Sequence, residues 1–61
     1  MTEGMYLVRY VYEHTNVTTL VFATSEEEAR NSADYQVTMD IGIYPEEALE
    51  VEVKLEGTLG A

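Results

Sequence analysis

With 61 residues, and twelve acidic side chains against only Arg9, Arg30 and Lys54, the chain reads as one small domain of net charge −9. Folding at that length removes about 60% of the surface an unfolded chain exposes, which leaves little room for a desolvated catalytic cavity. The lack of cysteine excludes a disulfide framework or a thiolate zinc site. A surface this anionic repels nucleic acid and anionic membrane, attracts basic proteins, and keeps a small protein in solution.

No stretch approaches the roughly 20 apolar residues that cross a bilayer, and Met1-Thr2-Glu3-Gly4 lacks the basic start of a signal peptide. A cytoplasmic protein without membrane contact is expected. A hydrophobic content of 46%, with five tyrosines, exceeds that of an acidic disordered segment.

Met5 to Glu13 is rich in aromatic and β-branched residues and has no glycine or proline, the composition of a strand. Its alternation places Tyr6, Val8, Tyr10 and Tyr12 on one face, and Met5, Leu7, Arg9, Val11 and Glu13 on the other. His14-Thr15-Asn16 breaks the pattern and Val17 to Ala23 resumes it, so the two runs form a hairpin. A two-residue turn at Thr15-Asn16 would set Tyr10 opposite Val21 and Val8 opposite Ala23. A three-residue loop would instead pair Val8 with Phe22 and Tyr10 with Leu20. Apolar residues fall on both faces in either register, so the face without a helix is either an ordinary exposed surface or a contact for a second copy or a partner.

Ser25 followed by Glu28 has capping-box spacing, and three glutamates suit the positive end of a helix running from Glu26 to Gln36 or Val37. Ala29, Ala33 and Val37 form a narrow stripe of small side chains that lets the helix lie close on a sheet. Arg30 stands four residues from both Glu26 and Asp34, pairs that support a helix by only about 0.2 to 0.5 kcal/mol each.

Thr38 to Pro45 reads as an ordered connection: Met39, Ile41 and Ile43 alternate like a short strand and close the end of the core, while Gly42 and Pro45 punctuate it. Pro45-Glu46-Glu47-Ala48 suits one helical turn. From Leu49 to Glu56, Leu49, Val51, Val53 and Leu55 alternate with Glu50, Glu52, Lys54 and Glu56, the cleanest strand pattern in the chain. Residues 1–4 and 57–61 are expected to fray. The fold class is therefore α+β, a three-stranded antiparallel sheet in β-β-α-β order with one helix on one face. Its expected core is Val8, Tyr10, Val21, Ala23, Ala29, Ala33, Val51, Val53 and Leu55.

Nothing in the sequence calls for catalysis, a metal or a cofactor. His14, the single histidine, sits in a turn with no cysteine nearby, and the carboxylate pairs Glu46/Glu47 and Asp34/Asp40 have neither a cleft nor calcium-loop spacing. Asn16-Val17-Thr18 matches a glycosylation sequon by chance in a chain without a secretion signal. The acidic residues carry the sharper reading. Glu50, Glu52 and Glu56 on one strand face, with Glu26 and Glu27 at the helix start, present spaced carboxylates that imitate phosphate rows, with Tyr6 or Tyr12 at the rim. A solvated strand face is the plain alternative, and Lys54 interrupts the row.

Ser25-Glu26-Glu27-Glu28-Ala29, preceded by Val21-Phe22-Ala23-Thr24 and followed by Ala33-Asp34-Tyr35-Gln36, resembles small β-β-α-β proteins of bacteriophages and mobile elements. Within that group it is most similar to the host RNA-polymerase inhibitors of podovirus coliphages. The likeness covers roughly residues 5 to 56. It implies the fold and a small host-directed viral protein; taken with the acidic, DNA-mimicking surface, the expected role is to inhibit a host nucleic-acid-processing protein, either RNA polymerase or a DNA-binding protein, by binding its basic surface. Those inhibitors carry arginines on the last strand, where this chain has Glu50, Glu52 and Lys54, so no contact residues carry over. The competing expectation is an assembly module that homodimerises through its open sheet face or an edge strand.

Overall fold

The computed structural model describes residues 3–59. Strands β1 (Glu3–Val11) and β2 (Asn16–Ala23) form a hairpin, helix α1 (Glu26–Gln36) crosses back, and strand β3 (Glu50–Leu59) completes the sheet. The sheet is antiparallel in the order β2-β1-β3, so the first strand is central and the other two are edges. This is the β-β-α-β architecture that the alternating strands and the single helix signal predict.

The hairpin register differs from both expected ones. Val11 pairs with Asn16 and Tyr10 with Val17, so Tyr12 to Thr15 form a four-residue loop, closed by the Tyr12 N–H donating to the Thr15 carbonyl at 2.8 Å. Tyr6 lies opposite Val21 and Val8 opposite Thr19. Relative to the two-residue turn the slip is four residues, an even number, so every side chain keeps the face its alternation assigns.

On the helix side, Tyr6, Val8 and Tyr10 of β1 and Val21 and Ala23 of β2 pack against Ala29, Ala33 and Val37, all buried. Val51 and Val53 are half-buried at the margin of this core, as are Ile43 and Ala48. Leu55, expected inside, is 48% exposed. It lies over Gly4, where an added Cβ would stand 2.8 Å from the Leu55 Cδ1 and 3.1 Å from the Tyr6 Cε1, so glycine is what lets these side chains settle on the strand.

The helix begins as its sequence dictates. Ser25 is extended, with φ −156 and ψ 165, and its hydroxyl accepts from the Glu28 N–H at 3.1 Å. The Glu28 carboxylate reaches back past the cap, accepting from the Thr24 N–H at 3.0 Å and the Thr24 hydroxyl at 3.2 Å. Ser25→Ala is therefore expected to lower the unfolding free energy by about 0.5 to 2 kcal/mol in urea titrations. An unchanged midpoint would show that the cap contributes nothing.

Beyond Gln36 the chain continues as a π-helical turn, Val37–Ile41, which replaces the strand-like alternation expected there. Gly42 ends it at φ 82, a left-handed conformation suited to glycine, with its N–H on the Val37 carbonyl at 3.0 Å. The wider turn leaves Met39 and Ile41 exposed, so Ile43 is the one residue of that expected trio that closes the core. Pro45–Glu47 is the predicted single turn, of 3-10 type.

The expected fraying of 1–4 and 57–61 is corrected where the chain is described: Glu3 pairs with Leu59, Gly4 with Thr58 and Met5 with Gly57. A β-bulge inserts Glu56 between the Tyr6–Leu55 and Met5–Gly57 pairs. Residues 1, 2, 60 and 61 lie outside the described residues.

Candidate partner-binding surface

The sheet divides the expected contact residues. Glu26 and Glu27 stand exposed in the first turn of α1, and with Arg30 they border a shallow depression against Val53, on the helix side. Glu50 and Glu52 pair with Val11 and Arg9, whose side chains point to the open face. The two groups therefore do not form one surface.

The carboxylate row on β3 is also partly neutralised. The Arg9 Nη2 donates to both Glu52 oxygens, at 2.6 and 2.9 Å, and the Lys54 Nζ lies 3.9 Å from the Glu56 carboxylate. Exposed pairs of this kind contribute about 0 to 1 kcal/mol to stability, yet they cancel the charge that a phosphate mimic would display. Of that row, Glu50 is free of any cation contact among the described residues.

The tyrosines separate as well. Tyr6, expected at the rim, is only 8% exposed and belongs to the core, because its face of β1 is the one α1 covers. Tyr12 is half-buried, and its hydroxyl donates to the Tyr44 carbonyl at 2.9 Å. Burial raises its pKa, and the negative field of Glu47, Glu46 and Asp34 raises it further. That field singles out acidic residues that the sequence offers only as catalytic or calcium-binding pairs, not as partner contacts. Glu46 and Glu47 look like turn formers in the sequence, and only the hairpin register brings Tyr12 and the 3-10 turn together.

Around this end of the molecule, Tyr12, Val17, Ile43 and Leu49 line an open groove of about 570 Å³ that Glu13, His14 and Glu47 border. Tyr35 near the end of α1, and Met39, Ile41, Tyr44 and Leu49 along the α1–β3 connection, are exposed beside Asp40, Glu46 and Glu47. Apolar side chains set among carboxylates form a surface for a partner that is itself both basic and apolar.

Between the glutamates of the helix start and those of the 3-10 turn lies a part-buried polar contact. The Tyr10 hydroxyl donates to the Asp34 Oδ1 at 2.6 Å, the Arg30 Nε lies 3.6 Å from the same oxygen, and the Thr38 hydroxyl donates to the Asp34 carbonyl at 2.8 Å. Burial first, and the Asp34 carboxylate second, hold the Tyr10 hydroxyl protonated far above neutral pH. At neutral pH it is a structural donor that ties the helix to the central strand.

Among the described residues no three His, Asp or Glu side chains converge as a metal site would require, and no helix is long and apolar enough to cross a membrane. His14 lies 3.8 Å from Glu13 with both side chains exposed. No protein-family model, curated protein or solved structure matches the chain.

Proposed function

We propose that the protein is a non-enzymatic, phage-type inhibitor that acts in the host bacterial cytoplasm by binding the basic surface of a nucleic-acid-processing protein. The carrying observation is how its charge is distributed. Glu26, Glu27, Asp40, Glu46 and Glu47 lie on the helix, the connection and the turn with Arg30 as the sole cation among those elements, whereas on the open sheet face, opposite, Arg9 and Lys54 offset the carboxylates of Glu52 and Glu56 and leave Glu50 unpaired among the described residues. Charge so displaced to one side steers a cationic partner onto that side and raises its association rate. The exposed apolar residues of the connection supply contact area once the partner has arrived.

The contact set is accordingly Glu26, Glu27, Glu46 and Glu47 with Tyr12, and the paired Glu52 and Glu56 are peripheral to it. Immobilised protein should retain a basic nucleic-acid-processing protein from bacterial lysate, releasing it at high salt. The quadruple variant Glu26→Gln/Glu27→Gln/Glu46→Gln/Glu47→Gln should lose that protein and relieve inhibition in a transcription or DNA-binding assay, while Glu52→Gln/Glu56→Gln keeps both. Retention that ignores salt, or that both variants abolish equally, would refute the reading.

A further inference from the structure

We propose that β2 is a self-association edge, which pairs antiparallel with β2 of a second copy to make one continuous six-stranded sheet. This does not rest on the identity of the basic partner. The two sheet edges are guarded very differently. Along β3 the edge carries Glu50, Glu52, Lys54 and Glu56 and is interrupted by the bulge at Glu56, devices that keep another strand from adding. Among the described elements β2 alone bears no charged side chain, and Asn16-Val17-Thr18-Thr19-Leu20-Val21-Phe22-Ala23 also contains no glycine or proline. It is an uninterrupted eight-residue strand at an open edge, with five β-branched or aromatic residues among its eight.

Charge selects a second copy as the occupant. Two chains of net charge −9 repel wherever carboxylates meet, and β2 is the strand along which they can approach with no carboxylate on the strand itself, Glu13 and Glu28 standing only beyond its two ends. Over the middle of the edge the helix flank is also uncharged. Gln36 accepts from the Thr19 hydroxyl at 3.2 Å, and Ser32, four residues earlier, shares that flank, whereas Glu26, Glu27, Arg30 and Asp34 belong to the flank over β3. Glu28, near the end of β2, is engaged by Thr24.

A two-fold axis perpendicular to the sheet and close to Thr19 and Leu20 keeps both helices on one side and both acidic flanks outermost. With the axis at Leu20, Leu20, 46% exposed, faces its counterpart on the open face, and Phe22, 52% exposed, lies opposite Thr18 of the second copy. Because each β3 edge stays guarded, assembly closes at two.

Sedimentation velocity from low micromolar to near-millimolar protein should show a reversible species of twice the protomer mass, strengthened by salt. Thr18→Glu/Leu20→Glu, at exposed positions on this strand, should abolish it without changing the circular dichroism spectrum. Glu50→Gln on the other edge should leave it intact. Amide hydrogen exchange along β2 should slow as concentration rises. A monomer at every concentration, a dimer that survives the double substitution, or growth past two copies would each overturn the proposal.

Discussion

Tyr10→Ala is expected to remove most of the folding stability, so that a large unfolded fraction is seen at room temperature in urea titrations. The side chain is fully buried in the central strand. Truncating a buried aromatic costs about 3 to 5 kcal/mol, whereas stability of roughly 0.05 to 0.15 kcal/mol per residue gives a chain of this length only about 3 to 9 kcal/mol in total. Tyr10→Phe isolates the hydroxyl. It keeps the ring packing and removes the 2.6 Å bond to Asp34, for a loss of about 0.5 to 1.5 kcal/mol.

The same pair fixes an alkaline signature. In the folded protein the Tyr10 pKa is raised, by burial and then by Asp34, above the value of about 10 that an unfolded chain shows. The native state therefore holds this proton more tightly. Its contribution is fully present below pH 10 or so, and is lost as pH rises through the folded-state value. Tyr12 is shifted in the same direction, so the diagnostic quantity is the difference between wild type and Tyr10→Phe. Urea midpoints of the wild type should fall more steeply above pH 10 or so than those of the variant. Parallel curves would show that the Tyr10 proton contributes nothing to folding.

The face of each strand residue was legible in the chain, while its partner across the sheet was not. Alternation in Tyr6, Val8 and Tyr10, and in Val21 and Ala23, specifies which side chains turn inward. A slip by an even number of residues leaves that inward set unchanged, so nothing in the pattern distinguishes the observed Tyr10–Val17 pair from Tyr10–Val21. What separates them is the length of the polar loop, and Tyr12, being aromatic, reads as strand although it lies in that loop. The helix was readable to its first residue because Ser25, Glu28 and the alanine stripe agree. Its π-helical continuation was not, since Met39, Ile41 and Ile43 fit a strand period equally well.

For the candidate surface the limit is different. Acidic content is visible in composition, but the cancellation of Glu52 by Arg9 and the grouping of Glu46 and Glu47 with Tyr12 both depend on cross-strand and loop neighbours more than 30 residues apart in sequence. Tyr6 illustrates the same point. It shares its period with Tyr12, yet α1 covers one and leaves the other at the margin.

Ala33→Leu is expected to cost about 1 to 3 kcal/mol, the usual penalty for inserting methylenes into a packed core. At about 4 to 8 °C per kcal/mol for a domain this small, the melting midpoint should fall by several degrees or more. Ala33 is fully buried in the stripe through which α1 rests on Val8, Tyr10 and Val21, and its place is set by the absence of a longer side chain. A leucine there is relieved mainly by lifting the helix. Lifting it draws Asp34, the next residue, away from the Tyr10 hydroxyl, and opens the ring to water. Both changes lower the Tyr10 pKa towards its ordinary value of about 10. Tyrosinate absorbance during alkaline titration should therefore show Tyr10 ionising earlier than in the wild type. Ala33→Gly separates packing from helix propensity: it destabilises by about 1 kcal/mol but leaves the helix seated, so the titration should stay late. If Ala33→Leu melts like the wild type, or if Tyr10 still titrates late in it, the close approach of helix to sheet is not what holds the pair. The displacement also moves Glu26 and Glu27 relative to Glu46, so the leucine variant should bind a basic partner more weakly even where it remains folded, an effect that Ala33→Gly should lack.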